Sequence, residues 1–182
     1  MPLLKDRYTS EDYWNLPEGE RAELIDGKFY NMAPPSRIHQ KLVFTISRII
    51  GNYIADHHGS CEVYPAPFAV NLDADDRDWV EPDISVICDP NKLTDRGCSG
   101  APDLIFEIVS PSSRKLDYGI KNGIYSQSGV REYWIVDPAK ERVTVYHYED
   151  DAAPVIYPFA QDIPVGIYPE LTIKINDLLE NY

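Results

Sequence analysis

The chain has 182 residues, 43% of them hydrophobic and 26% charged, with a formal net charge of −13. These proportions suit one folded domain spanning residues 1–182 and exclude a disordered chain. No apolar run reaches membrane-spanning length and the start, MPLLKDRYTSEDYW, is no signal peptide, so a cytoplasmic protein with no membrane contact is expected.

Taken in order, Thr9 or Ser10 caps a short helix over 11–16, with Glu11 and Asp12 in its first turn. Asp26-Gly27 lies between arms 21–25 and 28–32 and reads as a two-residue hairpin turn. Glu23, on the first arm, reads from the residues alone as an exposed hairpin acid. Ser36 caps a helix from Arg37 to about His57, with Ile38, Leu42, Ile46, Ile49 and Tyr53 as its buried stripe. His39 falls in the first turn, where a solvated histidine is the ordinary case.

The segment 62–72 carries Pro65 and Pro67 and reads as an edge or kinked strand. An acidic loop follows, through Asp73, Asp75, Asp76 and Asp78. The runs 84–88 and 104–109 are rich in Ile and Val and read as buried strands, with 89–100 a polar loop between them. Asp83 opens the first run and reads equally as a strand start or a site acid. Glu107 lies inside the second. Strand alternation puts Leu104, Phe106 and Ile108 on one face and Ile105, Glu107 and Val109 on the other. An ionised carboxylate there needs a partner, and a metal ion explains two such acids on neighbouring strands.

A turn at 110–113 feeds a helix over 116–128 that ends at Gly129. Asp117 and Lys121 are four residues apart and read as a solvated surface pair unless Lys121 serves a site. Strands are expected over 132–136, 142–148 and 171–175, with the Pro-rich stretch 157–167 irregular and a helical turn starting at Asn176 or Asp177. Cys61, Cys88 and Cys98 are odd in number and irregularly spaced, which indicates neither a disulfide framework nor a zinc site.

Several of these segments together resemble one family. Glu81-Pro82-Asp83, the run from Pro102-Asp103 through Glu107 to Ser112, Lys121, and Gly129 through Tyr133-Trp134 to Asp137-Pro138 look like the Uma2 (DUF820) family. So do 22–27 and His39-Gln40. That family belongs to the PD-(D/E)XK, restriction-endonuclease-like superfamily. The resemblance implies an α/β fold with a mixed sheet flanked by helices. It also implies a Mg²⁺- or Mn²⁺-dependent endonuclease acting on DNA through Asp83, Glu107 and Lys121. It raises Glu23 to a third metal-site acid and brings His39 near the site.

The usual lysine, two residues beyond the strand acid, is replaced here by Val109, and the resemblance assigns its role to Lys121 in the following helix. Tyr125, one turn on, shares the Lys121 face and with His39 is a candidate substrate contact, and Arg114 and Lys115 read as phosphate contacts. Thirteen tyrosines and three tryptophans exceed what a small core usually hides, which favours a homodimer. The net charge is awkward for a duplex binder, because non-specific DNA affinity comes from Lys and Arg neutralising phosphates. Two alternatives therefore stand: a catalytically inactive nucleic-acid-binding or assembly module, and a metal-dependent hydrolase of smaller phosphate esters.

Overall fold

The computed structural model describes residues 7–75 and 77–180. The first six residues of the start read above, Asp76 of the acidic loop and the last two residues lie outside the described residues.

The chain begins with α1 (Ser10–Trp14), where the Asp12 carboxylate accepts the Thr9 backbone N–H at 2.9 Å. The hairpin β1 (Ala22–Ile25) and β2 (Lys28–Asn31) follows. Its turn residues Asp26 and Gly27 have φ of 47° and 72°, the left-handed pair a type I′ turn demands. Ser36 then caps α2 (Arg37–Asp56), its side chain accepting the His39 N–H.

This helix buries Leu42, Val43, Ile46, Ile50 and Ile54, whereas Ile38 is 44% exposed. The expected stripe is therefore rotated. The face one and two turns on from Leu42 meets the sheet, Ile49 and Tyr53 lie at its margin, and the first turn borders a cleft.

Short strands follow: β3 (Glu62–Pro65), β4 (Val70–Asn71), β5 (Trp79–Val80) and β6 (Ile84–Ile87). The segment expected as a polar loop forms a further hairpin, β7 (Leu93–Thr94) and β8 (Gly97–Ser99). Gly97 makes it possible: its φ is 133°, and a Cβ there would lie 2.0 Å from the Ala69 carbonyl oxygen. β9 (Leu104–Ile108) is buried throughout.

A π-helix over Leu116–Lys121 then runs into α3 (Asn122–Ser128), which Gly129 ends with φ 91°. The remaining elements are β10 (Glu132–Asp137), β11 (Arg142–His147), β12 (Val155–Pro158), β13 (Ile163–Val165), β14 (Tyr168–Ile173) and α4 (Ile175–Glu180). The stretch expected to be irregular thus holds the end of β12 and all of β13. β12 is a sheet edge, where the N–H that Pro158 lacks is not required.

The strands form two six-stranded sheets, ordered β2-β1-β5-β4-β8-β7 and β12-β11-β10-β9-β6-β3, and the separate pair β13-β14. One face of the second sheet, through Leu104, Phe106, Ile108 and Trp134, packs on α2, the β13-β14 pair and α4. The opposite face, through Ile105, Val109, Tyr133 and Ile135, packs on the first sheet and Tyr125. The strand alternation read from the sequence holds, and Glu107 belongs to the face that meets the first sheet.

Trp134, Tyr125 and Tyr133 are fully buried and Trp79 nearly so. With Tyr13 they are the buried tyrosines and tryptophans among the described residues, and the others stay partly or fully exposed. The structure also corrects the cysteine reading: Cys61 and Cys88 form a disulfide. The antiparallel β3–β6 register, with Glu62 opposite Ile87, brings these flanking residues together although 27 positions separate them.

Candidate active site

A cleft of about 870 Å³ opens between the first turn of α2, the end of β9, the π-helix and the first sheet. Its floor is a group of acids around one lysine. Lys121 Nζ lies 2.8 Å from Glu107 Oε1, 2.8 Å from Glu23 Oε1 and 3.7 Å from Asp117 Oδ1. All four residues are buried, at most 4% exposed. This overturns two readings at once. Asp117 and Lys121 are not a solvated pair, and Glu23 is not an exposed hairpin acid.

The register of the strands explains how the acids meet. β6 runs antiparallel to β9 with Ile84 opposite Phe106, so the residue before Ile84 falls opposite Glu107. That residue is Asp83. Where the backbone ladder stops, the Asp83 side chain replaces it, and Oδ2 accepts the Ile108 N–H at 2.7 Å. The same oxygen lies 3.0 Å from His39 Nε2. Glu23 comes from the first sheet, where the Glu81 N–H donates to its Oε1 at 2.9 Å. Glu81 itself is engaged by Arg21 and by the Tyr13 hydroxyl. Tyr125 donates its hydroxyl to Glu107 Oε1 at 2.8 Å. Tyr125 is fully buried beneath the acid and does not line the cleft.

The open atoms matter most. Asp83, Glu107 and Glu23 each accept all their protein hydrogen bonds on one oxygen, leaving Asp83 Oδ1, Glu107 Oε2 and Glu23 Oε2 without a donor among the described residues. These acids line the cleft, and none of the three open oxygens is sealed from solvent. Asp117 Oδ1 is buried without a hydrogen-bond partner, as is His39 Nδ1.

Two other buried acids behave differently. Both oxygens of Glu132 are taken, by Trp134 Nε1 and the backbone N–H groups of Gly166 and Ile167. Both oxygens of Asp137 are taken by Arg114. Those two acids are structural. Sequence position alone gives Glu107 and Glu132 the same appearance, an acid in an apolar strand.

The electrostatics follow from burial. Desolvation pushes the Glu107 carboxyl well above the ordinary carboxylate range, with Asp83, Asp117 and Glu23 adding repulsion and Lys121 opposing it. Burial likewise raises Glu23 and Asp117, again against Lys121. For Lys121, burial alone would favour the neutral amine, but Glu107, Glu23 and Asp117 outweigh it and hold the ammonium protonated. Four carboxylates thus face one certain cation. The open carboxylate oxygens of Asp83, Glu107 and Glu23 are the hard donor type that a divalent ion such as Mg²⁺ or Mn²⁺ takes.

The cations expected to meet phosphate are mostly committed elsewhere. Arg114, half-buried, forks onto buried Asp137, and Arg131 pairs with Asp103 and Glu149. Lys115 lines the cleft with no ion pair among the described residues. Asp117 is the site residue that sequence reasoning missed. Its signal was present, since it precedes Lys121 by four residues and Tyr125 by eight. Outside the cleft, Asp73, Asp75 and Asp78 bring oxygens within 4.8 Å of one another in the acidic loop.

Comparison with known proteins gives a consistent picture. The model of the Uma2 family, described as "Putative restriction endonuclease", matches residues 10–175. Two proteins of Synechocystis sp. (strain ATCC 27184 / PCC 6803 / Kazusa) are similar over most of the chain. Uncharacterized protein slr1290 is 26% identical over 148 residues, covering 80% of this chain and 76% of its own. Uncharacterized protein sll1609 is 29% identical over 135 residues, covering 72% and 75%. A crystal structure from Anabaena variabilis ATCC 29413, described as "a putative nuclease belonging to DUF820", superposes with a TM-score of 0.73 at 23% identity. It covers 93% of this chain and 96% of its own, and it supports the mixed α/β fold.

Proposed function

The chain belongs to the Uma2 family, and we propose that it is a nuclease whose cleft hydrolyses DNA phosphodiester bonds with Mg²⁺ or Mn²⁺. The observation that carries this is the set of open carboxylate oxygens on Asp83, Glu107 and Glu23. Glu132 and Asp137, buried as deeply, keep no such oxygen.

Asp83 and Glu107 are the residues that would hold the ion, with Glu23 beside them. Bound there, the ion supplies Lewis-acid polarisation of the phosphate and acidifies a water. The chain's own residues do the rest. His39 and the Ile108 N–H fix the orientation of Asp83 through one oxygen and leave the other for the ion. Tyr125 and Lys121 do the same for Glu107.

Lys121 fills the role that Val109 cannot take, because Val109 has no charge and packs in the core. Its three acidic neighbours keep it protonated, so it acts as a fixed positive charge toward the developing phosphorane and not as a base.

Nicking of supercoiled DNA in Mn²⁺ tests the proposal. Wild type should cut, and Asp83→Asn and Glu107→Gln should each lose about a hundredfold or more. Equal cutting by the variants, or none by wild type with any divalent ion, would refute it. The volume of the cleft, about 870 Å³, favours one second reading, a hydrolase of small phosphate esters. Turnover of bis(4-nitrophenyl) phosphate with no cleavage of any DNA would establish that instead.

A further inference from the structure

The nuclease reading leaves open which form of DNA enters the cleft, and the inference here rests on that reading. Three observations bear on it. First, the site is deep. Glu23, Glu107, Asp117 and Lys121 are 2%, 3%, 1% and 4% exposed, at the floor of a cavity of about 870 Å³. That volume falls in the range of concave small-ligand pockets, roughly 300–1,000 Å³. A phosphate held within a rigid duplex is fixed on a convex surface, whereas a phosphate of a flexible strand can be drawn inward.

Second, among the described residues the rim offers few of the cations a duplex needs. Of the lining cations, Arg21 is paired with Glu81 and Lys121 with the floor acids. Lys115 is left as the lining cation without an ion pair among the described residues. The whole chain carries −13. Duplex binding gains its affinity from several neutralised phosphates at once, and this rim offers one.

Third, the rim places exposed apolar side chains beside its serines. Ile38 in the first turn of α2 is 44% exposed and Ile120 in the π-helix is 43% exposed, and both line the cleft. Met32, Pro34, Pro35 and Pro111 continue the surface. Two exposed isoleucines from different elements at one cleft mouth leave apolar area facing water with no covering partner. The face of an unpaired base is the part of a nucleic acid that matches such a surface, because in a duplex that face is hidden by stacking.

We propose that the cleft takes a single-stranded stretch of DNA, with an unstacked base against Ile38 and Ile120 and its phosphate directed to Asp83 and Glu107. Melted or single-stranded regions are then substrates in preference to intact duplex.

The test uses the full chain in Mn²⁺ and three substrates: bis(4-nitrophenyl) phosphate, a single-stranded oligonucleotide, and the same oligonucleotide annealed to its complement. The single strand should be cut with a kcat/KM about tenfold or more above the duplex. Ile38→Ser and Ile120→Ser should each lower the ratio of single-strand to small-diester turnover about fivefold, the loss expected for one removed apolar contact. Phe44→Ser provides the control, being exposed on the same helix but outside the cleft lining. It should leave the ratio unchanged.

Both isoleucines are surface residues, and melting curves verify that the variants fold. Equal cutting of single strand and duplex overturns the proposal, as does an unchanged ratio in the two isoleucine variants. Small-diester turnover without any oligonucleotide cleavage overturns it in favour of a small-ester hydrolase. Failure on all three substrates overturns the nuclease reading itself.

Discussion

Glu107→Gln separates a metal-binding carboxylate from a structural one. The substitution keeps the shape of the side chain. The Gln oxygen can still accept from Lys121 Nζ and the Tyr125 hydroxyl, both 2.8 Å from Glu107 Oε1. The amide nitrogen then occupies the open position, where a donor cannot bind a cation. Without metal the change should be cheap, because burial and three neighbouring acids already disfavour the ionised form.

The sign with pH follows. A carboxyl raised in the fold contributes stability that is complete below its unfolded value, 4.5 here, and lost as pH rises through the folded value. Metal-free wild type should therefore weaken with rising pH, and Glu107→Gln should weaken less. With Mn²⁺ at a hundred times its dissociation constant, linkage stabilises the native state by about 2.7 kcal/mol. For a chain of this size each kcal/mol moves Tm by roughly 2–4 °C. Wild type should gain about 5–10 °C and Glu107→Gln less than about 2 °C. Thermal melts with and without Mn²⁺ at two pH values measure both effects. An equal Mn²⁺ shift in the two proteins would place the ion elsewhere and refute the reasoning. If that shift disappears in Asp73→Asn, the acidic loop is where it binds.

Other substitutions probe the neighbours of Glu107. Lys121→Met leaves Glu23, Glu107 and Asp117 around a buried space without a cation, so denaturant melts should show a loss of about 3–5 kcal/mol at neutral pH, less in acid as the acids protonate. The same variant should lose DNA nicking by about a hundredfold or more, even where Mn²⁺ restores its fold. Tyr125→Phe removes one donor to Glu107 and should cost about 1–2 kcal/mol, while shifting the pH profile of cleavage upward as the acid loses a hydrogen bond. Glu132→Gln turns an amide toward three donors and should destabilise by about 1–3 kcal/mol, yet leave the Mn²⁺ shift of Tm as in wild type.

The strands carrying Asp83 and Glu107 were legible because their apolar runs are short, rich in β-branched residues and bounded by Pro and Ser. The faces of β9 followed from alternation alone. What sequence could not supply was the pairing of distant segments. Glu23 looks like a hairpin acid until β1 is joined, through β5, to the strand that leads to Asp83. Asp117 and Lys121 look like a surface pair, since an i,i+4 spacing is the same whether a helix faces water or a sheet. Arg114 appears free until the chain returns at Asp137, 23 residues later. Cys61 and Cys88 share no motif, and only the β3–β6 register makes them neighbours.

The π-helix resolves how one helical segment delivers three side chains to one site. Asp117, Lys121 and Tyr125 are spaced by four residues and all are buried. In a continuous α-helix a four-residue step overshoots a full turn, by about 40°, so two such steps would carry Tyr125 well away from the face of Asp117. A π-helix closes its hydrogen bonds at i→i+5 and holds more residues per turn, so a four-residue step falls short of a full turn. Here the first step, Asp117 to Lys121, lies within the π-helix and the second lies mainly in α3. The two deviations have opposite sign and largely cancel. The wider turn is braced from outside, with the Tyr133 hydroxyl donating to the Asp117 carbonyl at 3.1 Å and the Tyr148 hydroxyl to the Asn122 carbonyl at 3.2 Å. The same winding turns Ile120 outward to the cleft mouth while Lys121 points to its floor. The buried charge and the apolar lip thus come from consecutive residues, and their separation in depth is set by the backbone itself.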